Sequence, residues 1–209
     1  LRYFVEWKHG NLKNNLKESF MIHTLSQYIT NYLIKHKIID QETEIYEYGF
    51  ELMISTWIGT ILVLIIGGFT NHFLDAVIYE CVFRFTRIYT GGYHCKTYTK
   101  CILSYVFFFI IFIFLFPYFS NISFYSILVV CLLNLLIVML LCPVDHQNKR
   151  LLEDEKKCFK KKSIFRMFIL DLVIILLSIL NINKIVIILY SIIVIDTLIF
   201  LGYLENRFL

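Results

Sequence analysis

Apolar residues run along this chain in blocks of seventeen to twenty-two, not in the dispersed rhythm of a water-soluble domain. A helix rising about 1.5 Å per residue needs blocks of that length to cross roughly 30 Å of hydrocarbon. The blocks predict six spans, at about 48–69, 73–89, 101–119, 122–142, 164–180 and 185–203. The links "TNH" and "SNI" leave room only for tight hairpins between spans one and two and spans three and four. Upstream, Leu12, Leu16, Phe20, Leu25, Tyr28 and Tyr32 recur in steps of three and four, with Asn15, Lys17, Ser19, Gln27, Asn31 and Lys35 mostly between them. That pattern predicts an amphipathic helix, lying on the inner leaflet or packed on the cytoplasmic ends of the bundle. The expected fold is all-α: a cytoplasmic amphipathic segment over 1–44, then a six-helix transmembrane domain over 45–209. The first forty residues carry charge throughout and lack a compact apolar stretch, so no secretory signal is expected.

Composition strengthens this picture. The chain has 209 residues, 58% of them hydrophobic, with few glycines and prolines and no internal repeat. Its mean hydropathy is +0.70. Charge then orients it. With the N-terminus in the cytoplasm, every basic residue except Lys184 falls on the inner side, as the positive-inside rule requires. Tyr46, Tyr48, Tyr89, Tyr118 and Tyr203 sit near span ends, where an interfacial aromatic belt belongs. A multi-pass cell-membrane protein with both termini inside is the expected localisation. No nucleic-acid partner is expected.

The second span is unusual in carrying Asp75, Glu80, Arg84 and Arg87. An ionisable group at the bilayer centre costs roughly 2.5–3.5 kcal/mol on insertion scales. Glu80 and Arg84, at i and i+4, can pair on one helical face. Such a helix faces the protein interior, either as an internal salt bridge or as the lining of a wet cavity. Asp171 and Asp196 are further intramembrane acids, best read as hydrogen-bonded struts.

The connector "RIYTGGYHCKTYTKC", Arg87 to Cys101, holds a histidine and two cysteines. The six cysteines form no CxxC pair and this connector faces a reducing compartment, so free thiols are expected there. A thiol titrating near 8.5 is only a few per cent thiolate at neutral pH, so a cysteine nucleophile needs a base in reach. His94 can supply one. Cys95 is adjacent, but helical neighbours diverge by about 100°. Cys101 shares a helical face with His94, but about 10.5 Å along the axis, too far for proton transfer. A His94–Cys101 pair therefore requires the segment to bend, and Gly91 and Gly92 permit a bend just before His94. Cys101 also opens the third apolar span, where a helix N-terminus lowers a thiol pKa. By spacing alone both thiols stay candidates. A metal set of His94, Cys95, Cys101, Cys142 and His146 lacks finger-like spacing, and neither metal nor cofactor is expected.

Two segments carry a resemblance. "RIYTGGYHCKTYTKC" resembles the R-x4-G-x-H-x6-C signature of the AgrB family, the membrane cysteine endopeptidases of Gram-positive quorum sensing. "CPVDHQNKRL", Cys142 to Leu151, resembles that family's P-V-[DE]-H-x-N-K loop, and "EYGFELMIST" before the first span is also similar. The resemblance implies Cys101 as nucleophile and His94 as base, with Arg87 and Gly92 at the other signature positions. It implies an AgrD-like propeptide as substrate. The enzyme cuts off its acidic tail, keeps the upstream part as a thioester, and releases it as a thiolactone or lactone. It implies a homodimer in contact with membrane lipid, and no role for Cys95. Lys160, Lys161 and Lys162 are then candidates for attracting the acidic tail, or an ordinary basic anchor beside anionic lipid. Glu80 and Arg84 support the site, and Asp145 either fixes its loop or orients His94. The alternative is a small-peptide exporter or receptor-like protein without covalent catalysis.

Overall fold

In the computed structural model of the chain, the described residues are 20–39, 43–95, 97–119, 122–145, 151–180, 182 and 184–208. They form seven α-helices: α1 (Phe20–Lys35), α2 (Thr43–Phe69), α3 (Phe73–Thr90), α4 (Tyr98–Leu115), α5 (Phe124–Leu141), α6 (Glu153–Ile179) and α7 (Ile185–Phe208). A 3-10 turn at Phe116–Phe119 closes α4, where Pro117 lacks an N–H to continue the helix. The all-α expectation holds among the described residues. Two compact units are present: one of the described residues up to Val63 with Cys95–Phe107, the other of Leu64–His94 with the described residues from Phe108 onward.

The count of spans is corrected. Among the described residues, four helices are long and apolar enough to cross a membrane: Thr43–Phe69, Tyr98–Phe119, Phe124–Leu141 and Ile185–Phe208. The two expected spans at 73–89 and 164–180 do not qualify, because α3 carries Asp75, Glu80, Arg84 and Arg87, and α6 carries Lys162, Arg166 and Asp171 beside its apolar stretch. In α6 the helix starts eleven residues before the expected boundary at 164, so Lys156 to Lys162 stand on helical turns and not in a loop. Glu153, Asp154 and Glu155 sit in its first turn, where acids complement the helix dipole. The Glu155 carboxylate also accepts the Leu152 N–H at 3.0 Å.

In the second unit α7 lies against α3 and α5, and α6 lies against the same two helices. Ile187, Ile192, Ile195 and Ile199 are fully buried, and buried positions run all round α7, as in a central helix, with Ser191 and Asp196 among them. Lipid is as apolar as these side chains, so close packing and polar ties select the arrangement. The Asn134 amide donates to both carboxylate oxygens of Asp171 at 2.9 and 3.1 Å, joining α5 to α6. Asp75 is buried. It accepts from Lys184 Nζ at 2.7 Å and lies 2.8 Å from His72 Nδ1, tying the start of α3 to that of α7. Glu80 is buried too, and accepts from Arg84 Nε at 3.2 Å.

Helix α1 belongs to the first unit and has two unlike faces. Ile22, Ser26 and Thr30 are its buried positions, while Met21, Leu25, Tyr28 and Tyr32 form an exposed stripe. Small polar residues let a helix approach its neighbours closely, and the apolar stripe is left on the outside. Residues 12–19 of the expected amphipathic pattern lie outside the described residues.

Candidate active site

In the second unit, Arg87, Gly92 and His94 lie at and just beyond the C-terminal end of α3. Helix α3 stops at Thr90 because the next two residues leave helical space: Gly91 has φ 66° and Gly92 has φ 119°, both in the region that favours glycine. A side chain at Gly92 would strike Arg87 Nη1 and stand 3.0 Å from the Leu198 carbonyl oxygen. Arg87, one turn back in α3, then holds the reversed chain. Its Nη1 donates to the Gly91 carbonyl at 2.8 Å and its Nη2 donates to the Tyr93 carbonyl. The Tyr93 N–H donates to the Leu198 carbonyl of α7 at 2.7 Å. Arg87 thus organises the loop, using the planar fork that lets one guanidinium grip two acceptors. His94 follows directly and is exposed.

The "CPVD" segment is the second wall. Helix α5 ends at Leu141 because Cys142 precedes a proline, which forces it into extended backbone at φ −85° and ψ 151°. The Val144 N–H donates to the Thr90 carbonyl at 2.9 Å, and Val144 pairs with Gly91 in a single parallel bridge. Two segments some fifty residues apart are therefore stitched at their backbones. Between them lies a cleft of about 150 Å³ lined by Arg87, Tyr89, Gly92, His94, Asp145 and Phe159 among others.

Asp145 reaches this cleft from the far wall. Its Oδ2 lies 3.3 Å from Lys156 Nζ, and its backbone carbonyl accepts from Asn206 Nδ2 at 2.7 Å. Its Oδ1 is buried without a hydrogen-bond partner among the described residues. Hydrogen bonds to Glu153 and then Asp145 hold the Lys156 ammonium above its ordinary pKa. Lys160, Lys161 and Lys162 are exposed on α6, and Lys162 Nζ lies 5.0 Å from the centre of the Tyr89 ring. Glu80 and Arg84 do not line the cleft; they form the ion pair of α3. His146 and the rest of its loop to Arg150 lie outside the described residues. Among the described residues no cluster of three or more His, Cys, Asp and Glu side chains is arranged to hold a metal ion.

The first unit carries the thiols of the connector. Helix α4 begins at Tyr98, three residues earlier than expected, so Cys101 closes its first turn instead of opening the helix. Thr97 caps that turn, its Oγ1 accepting the Lys100 N–H at 3.3 Å. The Cys101 N–H donates to the Thr97 carbonyl at 3.1 Å. The chain from Gly91 to Cys95 is not helical, so His94 and Cys101 do not share one straight helix, as the proposed pair requires. Cys95 Sγ lies 3.7 Å from Ser104 Oγ, one further turn along α4. Both Cys95 and Cys101 are half-buried.

All six cysteines are thiols, and no disulfide is present. Cys142 is buried beneath the cleft wall, and burial, followed by the nearby Asp196 charge, pushes its thiol up to about 12. It is a poor nucleophile there. Brief iodoacetamide treatment of the folded protein at neutral pH should leave Cys142 unmodified and alkylate the exposed Cys158, as read by peptide mass spectrometry. Equal labelling of the two would refute this assignment.

Sequence reasoning passed over Val144, Asn206, Tyr98 and Glu51. Val144 acts through its backbone N–H, and the Asn206 side-chain amide is matched to a backbone carbonyl, so neither pairing leaves a trace in side-chain patterns. Glu51 does fall within "EYGFELMIST", but nothing in that string identifies its partners.

Comparison with known proteins agrees with these segments. The family profile of Accessory gene regulator B matches residues 26–201. A protein of Clostridium perfringens strain SM101 named AgrB-like is 32% identical over 167 residues, covering 77% of this chain and 78% of that one. An AgrB-like protein 2 of C. perfringens strain 13 is 30% identical over 167 residues, with the same coverage. No solved structure matches. Matched along most of its length and apolar enough to sit in a membrane, the chain belongs to the AgrB family, whose members take part in processing the peptide of agr quorum sensing.

Proposed function

We propose that this protein is a membrane-embedded cysteine endopeptidase that cleaves the tail from an AgrD-like propeptide and lets the remainder cyclise. The observation that carries the proposal is the coincidence of Arg87, Gly92, His94 and Cys101 with R-x4-G-x-H-x6-C inside the family match. Cys101 is the nucleophile and His94 the base. The imidazole takes the thiol proton as sulfur adds to the scissile carbonyl, and returns it to the leaving amine as the C–N bond breaks. The upstream peptide is left as a thioester on Cys101. A cysteine or serine of the peptide then attacks that carbonyl, closing the ring, and its proton returns to the Cys101 sulfur through His94. Thioester-to-thioester exchange conserves activation that hydrolysis would discard. Ring closure therefore needs a tethered nucleophile, with effective molarity of about 10⁵ M or more, and exclusion of water.

Several features support the finer parts. The exposed lysines 160, 161 and 162 attract the acidic tail, each contact contributing on the order of a kcal/mol or less. The exposed stripe of α1 rests on the inner leaflet. The working form is a homodimer. The test is trapping: wild-type protein is incubated with a propeptide whose internal nucleophile is replaced by alanine, then quenched in acid. A mass increment equal to the upstream peptide on Cys101 is expected. The same increment on Cys95 would move the nucleophile, and no covalent adduct would favour an exporter or receptor-like protein.

A further inference from the structure

In the first unit three titratable side chains from three helices meet at one carboxylate. Glu51, on α2, is mostly buried, with 12% of its side chain exposed. Its Oε2 accepts the Tyr98 O–H at 2.9 Å, and its Oε1 lies 2.6 Å from His23 Nδ1 of α1. Tyr98 is the first residue of α4 and Cys101 the fourth. At i and i+3 they share a helical face, and the Cys101 thiol lies within electrostatic reach of the Tyr98 ring hydroxyl.

The first turn of a helix is its weakest, because its initial N–H groups have no partners within the helix. In α4 the Thr97 cap and the Thr97–Cys101 hydrogen bond are the local fastenings. Tyr98 adds a third from outside the helix. A phenol has only two side-chain torsions to fix, so a hydrogen bond at its tip restrains the backbone at little entropic cost. Glu51 can restrain Tyr98 only if its own rotamer is fixed, and His23 fixes it by occupying the second oxygen.

We infer that Tyr98 and Glu51 are positioning residues for Cys101, held in turn by His23, so that the amphipathic helix α1 braces the turn bearing the nucleophile. This rests on the reading of Cys101 as the nucleophile. Nothing in the role requires the Glu51 charge. A glutamine there accepts from Tyr98 through its carbonyl and donates to a neutral His23 Nδ1 through its amide, preserving both links.

The test uses the full chain in lipid nanodiscs with the wild-type propeptide. Tyr98→Phe and Glu51→Ala should each lower kcat about tenfold with KM within about twofold, because a shifted attacking atom penalises the chemical step and not binding. Combining them should cost no more than either alone. Glu51→Gln should restore kcat to within about threefold of wild type. Hydrogen exchange of the Cys101 amide should speed up in Tyr98→Phe and Glu51→Ala, and return to the wild-type rate in Glu51→Gln. An unchanged kcat in Tyr98→Phe, or Glu51→Gln as damaged as Glu51→Ala, would overturn the inference. So would unaltered exchange in both disrupting variants. Exchange is read independently of turnover, so altered exchange together with an active Cys101→Ala variant would condemn the nucleophile assignment and leave the brace standing.

Discussion

Cys101→Ala is expected to abolish propeptide cleavage, by about 10³-fold or more, with membrane insertion intact. Alanine removes the sulfur that forms the acyl bond, and none of the other thiols occupies its place in α4. Cys142 is buried with its proton held, and Cys95 is turned toward Ser104. His94→Ala should be nearly as damaging, because the thiol then keeps its proton at neutral pH and the leaving amine receives none. The double variant should be no worse than Cys101→Ala, since base and nucleophile act as one unit. Cys95→Ala should retain activity within about threefold. The measurement is immunoblotting of a tagged propeptide co-expressed with each variant, with membrane fractionation as the control. Full cleavage by Cys101→Ala, with loss in Cys95→Ala, would transfer the role to residue 95.

Gly92→Ala should cost about 10²-fold in single-turnover rate, although residue 92 carries no chemistry. At φ 119° an L-residue is strained by about 1–3 kcal/mol. The added methyl also meets the Arg87 guanidinium that holds the Gly91 and Tyr93 carbonyls. The loop must yield, and His94 is only two residues on. Arg87→Lys should act in the same direction, by about tenfold, because an ammonium is a point donor without the fork that bridges two carbonyls. Both variants should keep their helical content by circular dichroism. A fully active Gly92→Ala enzyme would mean that the geometry of this loop is irrelevant to turnover.

How much of this was legible beforehand depends on the residue. Apolar blocks identified α2, α4, α5 and α7, because lipid demands length and hydrophobicity that no other context requires together. The same rule overcounted at α3 and α6. Both contain apolar stretches, but Asp75 and Asp171 are matched to partners on other elements of the second unit, and Glu80 and Arg84 to each other along α3. The bend before His94 was readable from Gly91 and Gly92, because positive φ restricts residue choice so strongly. The start of α4 was not, because Tyr98, Thr99 and Lys100 are polar or amphipathic and the cap at Thr97 looks like any loop threonine. The pattern of α1 was readable only as amphipathic. That its apolar stripe is exposed and Ser26 and Thr30 are buried depends on a neighbour's surface.

The sequence by itself determined that this chain is helical and lives in a membrane, and that Arg87, Gly92, His94 and Cys101 stand at the spacing of the AgrB signature. Those properties follow from local composition and from position along the chain. Only the tertiary structure decided that Arg87 grips loop carbonyls, that Val144 stitches the second hallmark to Thr90, and that Tyr98, Glu51 and His23 converge. Each of those is a hydrogen bond between groups far apart in sequence or through the backbone. Partner choice there is set by distance and direction in space, which no run of residue types encodes.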